Sequence, residues 1–290
     1  MPMQRKERLM RRSTSNSWDR VSKHWKFQEP PLSPSLEDLR VVDLAVAAWF
    51  ERNKRLARVL ILGVTPQFLR LNWPKRTKIT AIDRSEVMIE RVWPGKRKDA
   101  ILGEWRSMNL ANHSIDIVLC DGGFLFLDYP TGQKSVIDQL ARVIAIDGIF
   151  IGRLYLPPKR KEKTDKVLAD FRSGKIKNVA MLKMRLAMSL QRTCKEGVVL
   201  QDIWNTLNHY CPDFRQIARK LDWKTETLAT LEHYRNSKER FYFPKLSQVE
   251  RLFQTPRAFR VLDRVQPSYL MGEQYPTIIL QRVITNGGID

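Results

Sequence analysis

Cysteine is scarce in this chain. Its three residues, Cys120, Cys194 and Cys211, are odd in number and show no C-x-x-C spacing, which argues against a disulfide framework and against a cysteine zinc site. That usage predicts a reducing, cytoplasmic setting. Histidine is nearly as rare, with 4 residues, and no His, Cys and carboxylate cluster has ligand spacing, so no metal site is expected. A Ser/His/Asp hydrolase signature is missing too. Long apolar runs are absent: Asp43 interrupts Val41 to Phe50 and Arg153 interrupts Ile149 to Leu156, well short of the roughly 18 residues that span a bilayer. A soluble chain with no membrane partner is expected, and the basic amino end is not followed by the apolar core of a secretory signal. Acidic residues are also in deficit, 31 against 51 Lys and Arg, for a formal charge of +20. Such an excess attracts polyanions or anionic substrates, although a solvated surface accounts for the same residues.

With 290 residues the chain can hold one large domain, or one domain and an appendage. Residues 1–35 read as a basic N-terminal arm. Its Trp18 and Trp25, seven apart, suit one helical face that docks on the body, or base stacking with a nucleic acid as the sharper alternative. Pro30, Pro31 and Pro34 end it. Ser35 with Asp38 predicts a capped amphipathic helix through Leu39, Val42, Leu44, Val46, Ala47 and Phe50. Apolar strands then alternate with helices: strand Val59–Leu62, a short helix Gln67–Leu71, strand Ile79–Ile82, a helix capped by Ser85 and running to Val92, strand Asp99–Glu104, strand Ile115–Cys120, a helix Thr131–Ile144 and strand Ile149–Leu156. That alternation predicts an α/β fold, a Rossmann-like parallel sheet covered on both faces.

Residues 159–240 show only helical pattern, with no strand-like run, and read as a helical insertion rich in lysine and arginine. A helix Leu246–Phe253 and strands Phe259–Val265 and Thr277–Val283 follow, the last two forming a hairpin at the sheet edge. The expected domain therefore comprises 36–158 and 241–290, with the insertion between its fifth and sixth strands as a substrate cap.

Gly63 ends the first strand, where parallel sheets bind ligands and where a missing side chain lets backbone approach closely. Asp83 ends the second, about 20 residues on, the distance expected of an acid that holds a ribose. The full G-x-G-x-x-G is missing, and Pro66 has no N–H for a phosphate, which disfavours a nicotinamide dinucleotide and an NAD(P)-dependent oxidoreductase. Asp121, His113, Tyr155, His209 and His233 are the available proton acceptors. His113 reads as a surface loop residue, His209 and His233 as structural histidines, and Tyr155 as core, which leaves Asp121 as the candidate base.

Five strands with Gly63 after the first, Asp83 after the second, Gly103-Glu104-Trp105 after the third and Asp121-Gly122 after the fourth, closed by a hairpin, resemble the class I S-adenosylmethionine-dependent methyltransferases with their seven-stranded sheet. Leu62-Gly63-Val64-Thr65-Pro66, Val92-Trp93-Pro94-Gly95, and Trp18 and Trp25 ahead of Pro31-Leu32-Ser33-Pro34-Ser35 resemble one uncharacterised bacterial branch. The resemblance implies S-adenosylmethionine as cofactor, with Gly63, Val64 and Thr65 at its methionine portion and Asp83 on the ribose hydroxyls. It implies Met88 against the adenine, Glu104 and Trp105 at the adenine amino group, and Asp121 at the methyl-transfer mouth. The acceptor is expected to be a small molecule, anionic in view of the charge, with nucleic acid as a further partner through the arm and the insertion. Nucleic-acid amino methyltransferases usually carry an Asn/Asp-Pro-Pro-aromatic element after the fourth strand, whereas this chain has Asp121-Gly122-Gly123-Phe124. A non-catalytic binding module on the same fold is the rival reading.

Overall fold

A computed structural model describes residues 18–255 and 258–284. Seven strands make one sheet: β1 (Arg58–Leu62), β2 (Lys78–Asp83), β3 (Ala100–Leu102), β4 (Ile115–Asp121), β5 (Ile144–Arg153), β8 (Phe259–Val265) and β9 (Thr277–Arg282), in the order β3-β2-β1-β4-β5-β9-β8. The first five run parallel, and β9 joins β5 antiparallel, with Phe150 opposite Leu280. The expected hairpin is therefore at the edge, β8 pairing β9. The pleat sends alternate side chains to opposite faces. Val59, Ile61, Ala81, Ile117, Leu119 and Ile151 meet Val42, Val46 and Trp49 of α2 (Leu36–Asn53) and Met88 and Ile89 of α3 (Glu86–Val92). Leu60, Leu62, Val118, Cys120 and Phe150 meet α4 (Thr131–Val143) and α10 (Leu246–Gln254) on the other face.

The third strand is shorter than the sequence reading, Ala100–Leu102 in place of Asp99–Glu104, and the fifth differs at both ends. β5 begins at Ile144, and Asp147 with φ +64 and Gly148 break its apolar run, so periodicity marks only the part from Ile149. The strand also ends at Arg153, which leaves Tyr155 beyond it.

A third core lies over the sheet's carboxyl edge. It is built from α5 (Thr164–Arg172), α6 (Val179–Leu190), α7 (Leu200–Tyr210), α8 (Phe214–Lys220) and α9 (Thr225–Ala229), the last followed by a 3-10 turn, Thr230–Tyr234. The stretch is not purely helical. β6 (Val198–Val199) and β7 (Arg240–Phe241) form a two-stranded ribbon, each strand too short to show an alternation in sequence. Several of its basic residues are paired: Arg185 bonds Glu162 and Asp170, both at 2.6 Å, and Lys166 bonds Asp170 at 2.7 Å.

A short helix α1 over 18–23 and a 3-10 turn, Trp25–Phe27, precede α2. Trp18 and Trp25 thus belong to different elements and do not share a helical face. The rest of the basic arm, to residue 17, lies outside the described residues. The expected capping box is formed: Ser35 Oγ accepts from the Asp38 N–H at 3.1 Å, and Asp38 Oδ2 accepts from the Ser35 N–H at 2.8 Å. Ser35→Ala is expected to cost about 1 kcal/mol, read as a lower urea midpoint with an unchanged slope.

Candidate functional site

At the carboxyl ends of β1, β2 and β4 the sheet opens into a cleft that encloses about 1010 Å³ of empty space, part of it continuous with solvent. The sheet side is made by Gly63, Val64, Thr65, Asp83, Met88, Trp105, Asp121, Gly122 and Gly123. Glu104 lines an adjoining hollow together with Asp83, Trp105 and Trp18. The structure thus gathers the residues that sequence reasoning selected, from loops up to about sixty residues apart, into one cleft and its side hollow.

The turn after β1 explains the glycine. Gly63 has φ +89, its N–H donates to Ile82 O at 2.9 Å, and a Cβ there would sit 3.7 Å from the Trp105 ring and 3.9 Å from Asp83 Oδ2. Any side chain at 63 would be strained and would stand in the space between those two groups. Gly122 has φ +65, and a Cβ on it would meet the Tyr155 ring at 2.7 Å. Trp105 is fixed by its indole N–H, which donates to Ile82 O at 2.8 Å.

Asp83 accepts from the Ser85 N–H at 2.8 Å through Oδ1 and makes no ion pair among the described residues. Burial raises its carboxyl to about 6, with Glu104 adding to the rise and Ser85 and Arg84 opposing it. Such a group is short of hydrogen bonds for its charged form and gains from any donor brought to it.

Asp121 lines the cleft yet is committed elsewhere: Arg153 Nε donates to its Oδ1 at 2.6 Å. Arg153 is buried and also donates to Pro31 O at 2.9 Å and to the Tyr155 hydroxyl at 3.1 Å, with Asp38 at 3.8 Å. Burial pushes the Asp121 carboxyl up while Arg153 pulls it down. Burial opposes the charge on Arg153 as well, and Asp121, Tyr155 and Asp38 outweigh it, holding the guanidinium well above its ordinary range. Tyr155 is buried in the core under the helical region, as expected, and also lines the cleft; its hydroxyl donates to Pro31 O and so ties the N-terminal segment to the end of β5.

The remaining walls come from residues that sequence reasoning did not place in a site. Trp18, Trp25, Gln28 and Leu32 enter from the N-terminal segment, and Leu200, His233, Tyr234, Glu239 and Phe241 from the helical region. Rings run along the cleft in a chain: Trp18 to Phe126 at 5.2 Å, Phe126 to Phe241 at 5.2 Å, and Phe241 to Tyr234 at 5.8 Å. The two tryptophans were a visible signal, read as docking. For His233 no local pattern exists, because its neighbours arrive from other elements. Of the other candidate bases, His113 bonds Ile144 O at 3.2 Å and His209 packs on Tyr210, and neither lines the cleft. Among the described residues no group of three or more His, Cys, Asp or Glu is placed to hold a metal ion, and no helix is long and apolar enough to cross a membrane.

Residues 62–152 match the family model described as "Methyltransferase domain". No curated protein matches this chain. Among solved structures, a Rhodobacter sphaeroides protein provisionally named as a Zn-dependent alcohol dehydrogenase is similar with a TM-score of 0.61 at 13% identity, covering 93% of this chain and 98% of its own. The PH0226 protein of Pyrococcus horikoshii OT3 is similar with a TM-score of 0.50 at 15% identity, over 88% of this chain and 96% of its own. The N-methyltransferase NodS of Bradyrhizobium japonicum WM9, solved with S-adenosyl-L-homocysteine, has a TM-score of 0.50 at 10% identity, over 93% of this chain and 98% of its own. At these identities the structural likeness speaks for the fold. On the family match and the sheet order together, this chain carries a methyltransferase domain of the class I type.

Proposed function

We propose that the protein is an S-adenosylmethionine-dependent methyltransferase that acts on a small-molecule acceptor. One observation carries the reading: the cleft joins an open glycine turn at Gly63 to Asp83, a carboxylate without an ion-pair partner among the described residues, in the arrangement the family resemblance implies. Asp83 would accept the two ribose hydroxyls, Val64 and Thr65 would face the methionine portion, and Met88, Glu104 and Trp105 would surround the adenine. Trp18 supports that fit. It borders the hollow shared with Asp83, Glu104 and Trp105, and its indole N–H, buried without a partner among the described residues, is a donor that a purine ring nitrogen would satisfy.

The cofactor supplies an electrophilic methyl group on a sulfonium. What the chain supplies is position and exclusion of water, and the arm segment with the helical region makes the walls that do so. Asp121 fixes Arg153 and through it Pro31, a positioning role rather than that of a free base. The helical region reads as the cap that selects the acceptor. Nucleic acid as a further partner rests on the basic arm with its tryptophans, the basic helical region and the net charge of +20.

Isothermal titration with S-adenosylmethionine and S-adenosylhomocysteine is expected to give saturable binding of both, and Trp18→Phe, which keeps the ring and removes the N–H, is expected to weaken it about threefold to tenfold. Absence of heat with either ligand would overturn the reading, and binding of NADH in their place would favour the oxidoreductase.

A further inference from the structure

We propose that the far end of this cleft takes an uncharged, planar heteroaromatic molecule and that methyl transfer occurs to one of its ring nitrogens, with His233 holding a second acceptor atom of the ring system. The inference rests on the methyltransferase reading above and names its acceptor class.

The two ends of the cleft can be told apart. The ring chain starts at Trp18, beside Asp83 and Glu104, and finishes at Tyr234, next to His233. If the nucleoside occupies the first end, the acceptor meets Phe241, Tyr234 and His233. Flat, rigid walls of this kind favour a flat partner that stacks or packs edge to face. Charge narrows the class further. The charged side chains lining the described cleft are Asp83, Asp121 and Glu239, with no lysine or arginine, so nothing there pairs an anion. Lys183 is buried behind the Tyr234 ring, its Nζ 5.0 Å from the ring centre and 2.6 Å from Thr230 Oγ1, and it does not line the cleft. The anionic acceptor suggested by composition therefore finds no support in the cleft itself.

The state of His233 follows from its neighbour. His24 Nδ1 lies 3.3 Å from Arg20 O and 3.0 Å from His233 Nε2. With the Arg20 carbonyl as an acceptor, the tautomer that satisfies both contacts puts one proton on His24 Nδ1, shared between Arg20 O and His233 Nε2, and we assign it so. On that assignment a neutral His233 keeps its own proton on Nδ1, the donor that the proposal gives to the ring system. Burial keeps the ring neutral, pushed down to about 3, with Lys183, His24 and Arg20 adding to the fall.

A donor at His233, Asp121 held by Arg153 and Glu239 paired with Arg84 at 3.5 Å leave the acceptor end without a ready base. A ring nitrogen with a free lone pair needs none. As the nitrogen–carbon bond forms and the carbon–sulfur bond breaks, the positive charge passes from sulfur to the heteroaromatic ring, and no proton is released. The cationic product then meets the rings of Tyr234 and Phe241, and aromatic faces attract a flat cation.

Quinazoline, which has two ring nitrogens, is a suitable probe, with naphthalene as the same shape without an acceptor atom and naphthoate as an anion. Saturation of the wild-type protein with S-adenosylhomocysteine is measured first, so that failure of cofactor binding is seen separately. On the saturated protein quinazoline is expected to bind, naphthoate not to, and His233→Phe to weaken quinazoline about threefold to tenfold while leaving naphthalene and the cofactor unchanged. With labelled S-adenosylmethionine the label should appear in an N-methylquinazolinium ion. Tighter binding of naphthoate, no binding of quinazoline to the saturated protein, no label transferred to it, or a His233→Phe variant indistinguishable from wild type towards quinazoline would each overturn the proposal.

Discussion

Asp83→Asn is expected to lower affinity for S-adenosylhomocysteine by about 30- to 1000-fold, while making the ligand-free protein more stable at pH 8. Both effects come from one carboxylate. Hydrogen bonds to a charged acceptor contribute about 1.5–3 kcal/mol each, and an amide keeps only a weaker version of them. In the ligand-free protein the same charge is costly, since burial raises the carboxyl from 3.8 to about 6. A folded-state value above the unfolded one means that the folded protein holds the proton more tightly. The associated stability is complete below pH 3.8 and is lost as pH rises through about 6. The full loss is of order 3 kcal/mol, an upper bound for a partly exposed group. Thermal melts should therefore show the variant ahead of wild type at pH 8, with the gap shrinking towards pH 4. Titrations should show wild-type cofactor affinity falling as pH drops below about 6, with the variant flat across that range. A variant that binds like wild type would remove Asp83 from the ribose site.

Arg153→Met is expected to be the most destabilising single change at the site, at about 3–5 kcal/mol. It strips the partner from Asp121, bonded at 2.6 Å, and leaves Pro31 O with the Tyr155 hydroxyl alone. The cost arises from a buried carboxylate without compensation rather than from the intrinsic worth of the pair. Asp121→Asn added to Arg153→Met should accordingly recover more than half of the loss, read as coupling in a double-mutant cycle by urea unfolding. If the two changes simply add, the pair is not an energetic unit. Because Arg153 also anchors the segment that carries Trp25 and Leu32, the double variant should bind cofactor more weakly even where it is folded.

Much of the sheet side was legible in the sequence for a local reason. Val59 to Leu62 and Ile79 to Ile82 are short apolar runs whose ends, Gly63 and Asp83, fall at the carboxyl edge whichever helices cover the faces. Ser35 and Asp38 were legible as a pair because a capping box is closed within one turn. Tyr155 was legible as core but not as a wall of the cleft, since it lies two residues past the end of β5, where contacts with the N-terminal segment and not periodicity decide what it faces. The ribbon of β6 and β7 joins residues some forty apart through two-residue strands, a pairing with no periodicity to detect.

The sequence by itself determined the parallel sheet, its edge hairpin and the placement of Gly63, Asp83 and Asp121, because each depends on periodicity and turn chemistry over a few neighbours. Only the tertiary structure decided what those residues face. It set Arg153 against Asp121, His24 against His233, and the rings of Trp18, Phe126, Phe241 and Tyr234 in a line, contacts between residues up to 209 positions apart. A carboxylate's readiness to act as a base, and an imidazole's choice of proton, are properties of such partners and of burial, which the order of residues along the chain does not contain.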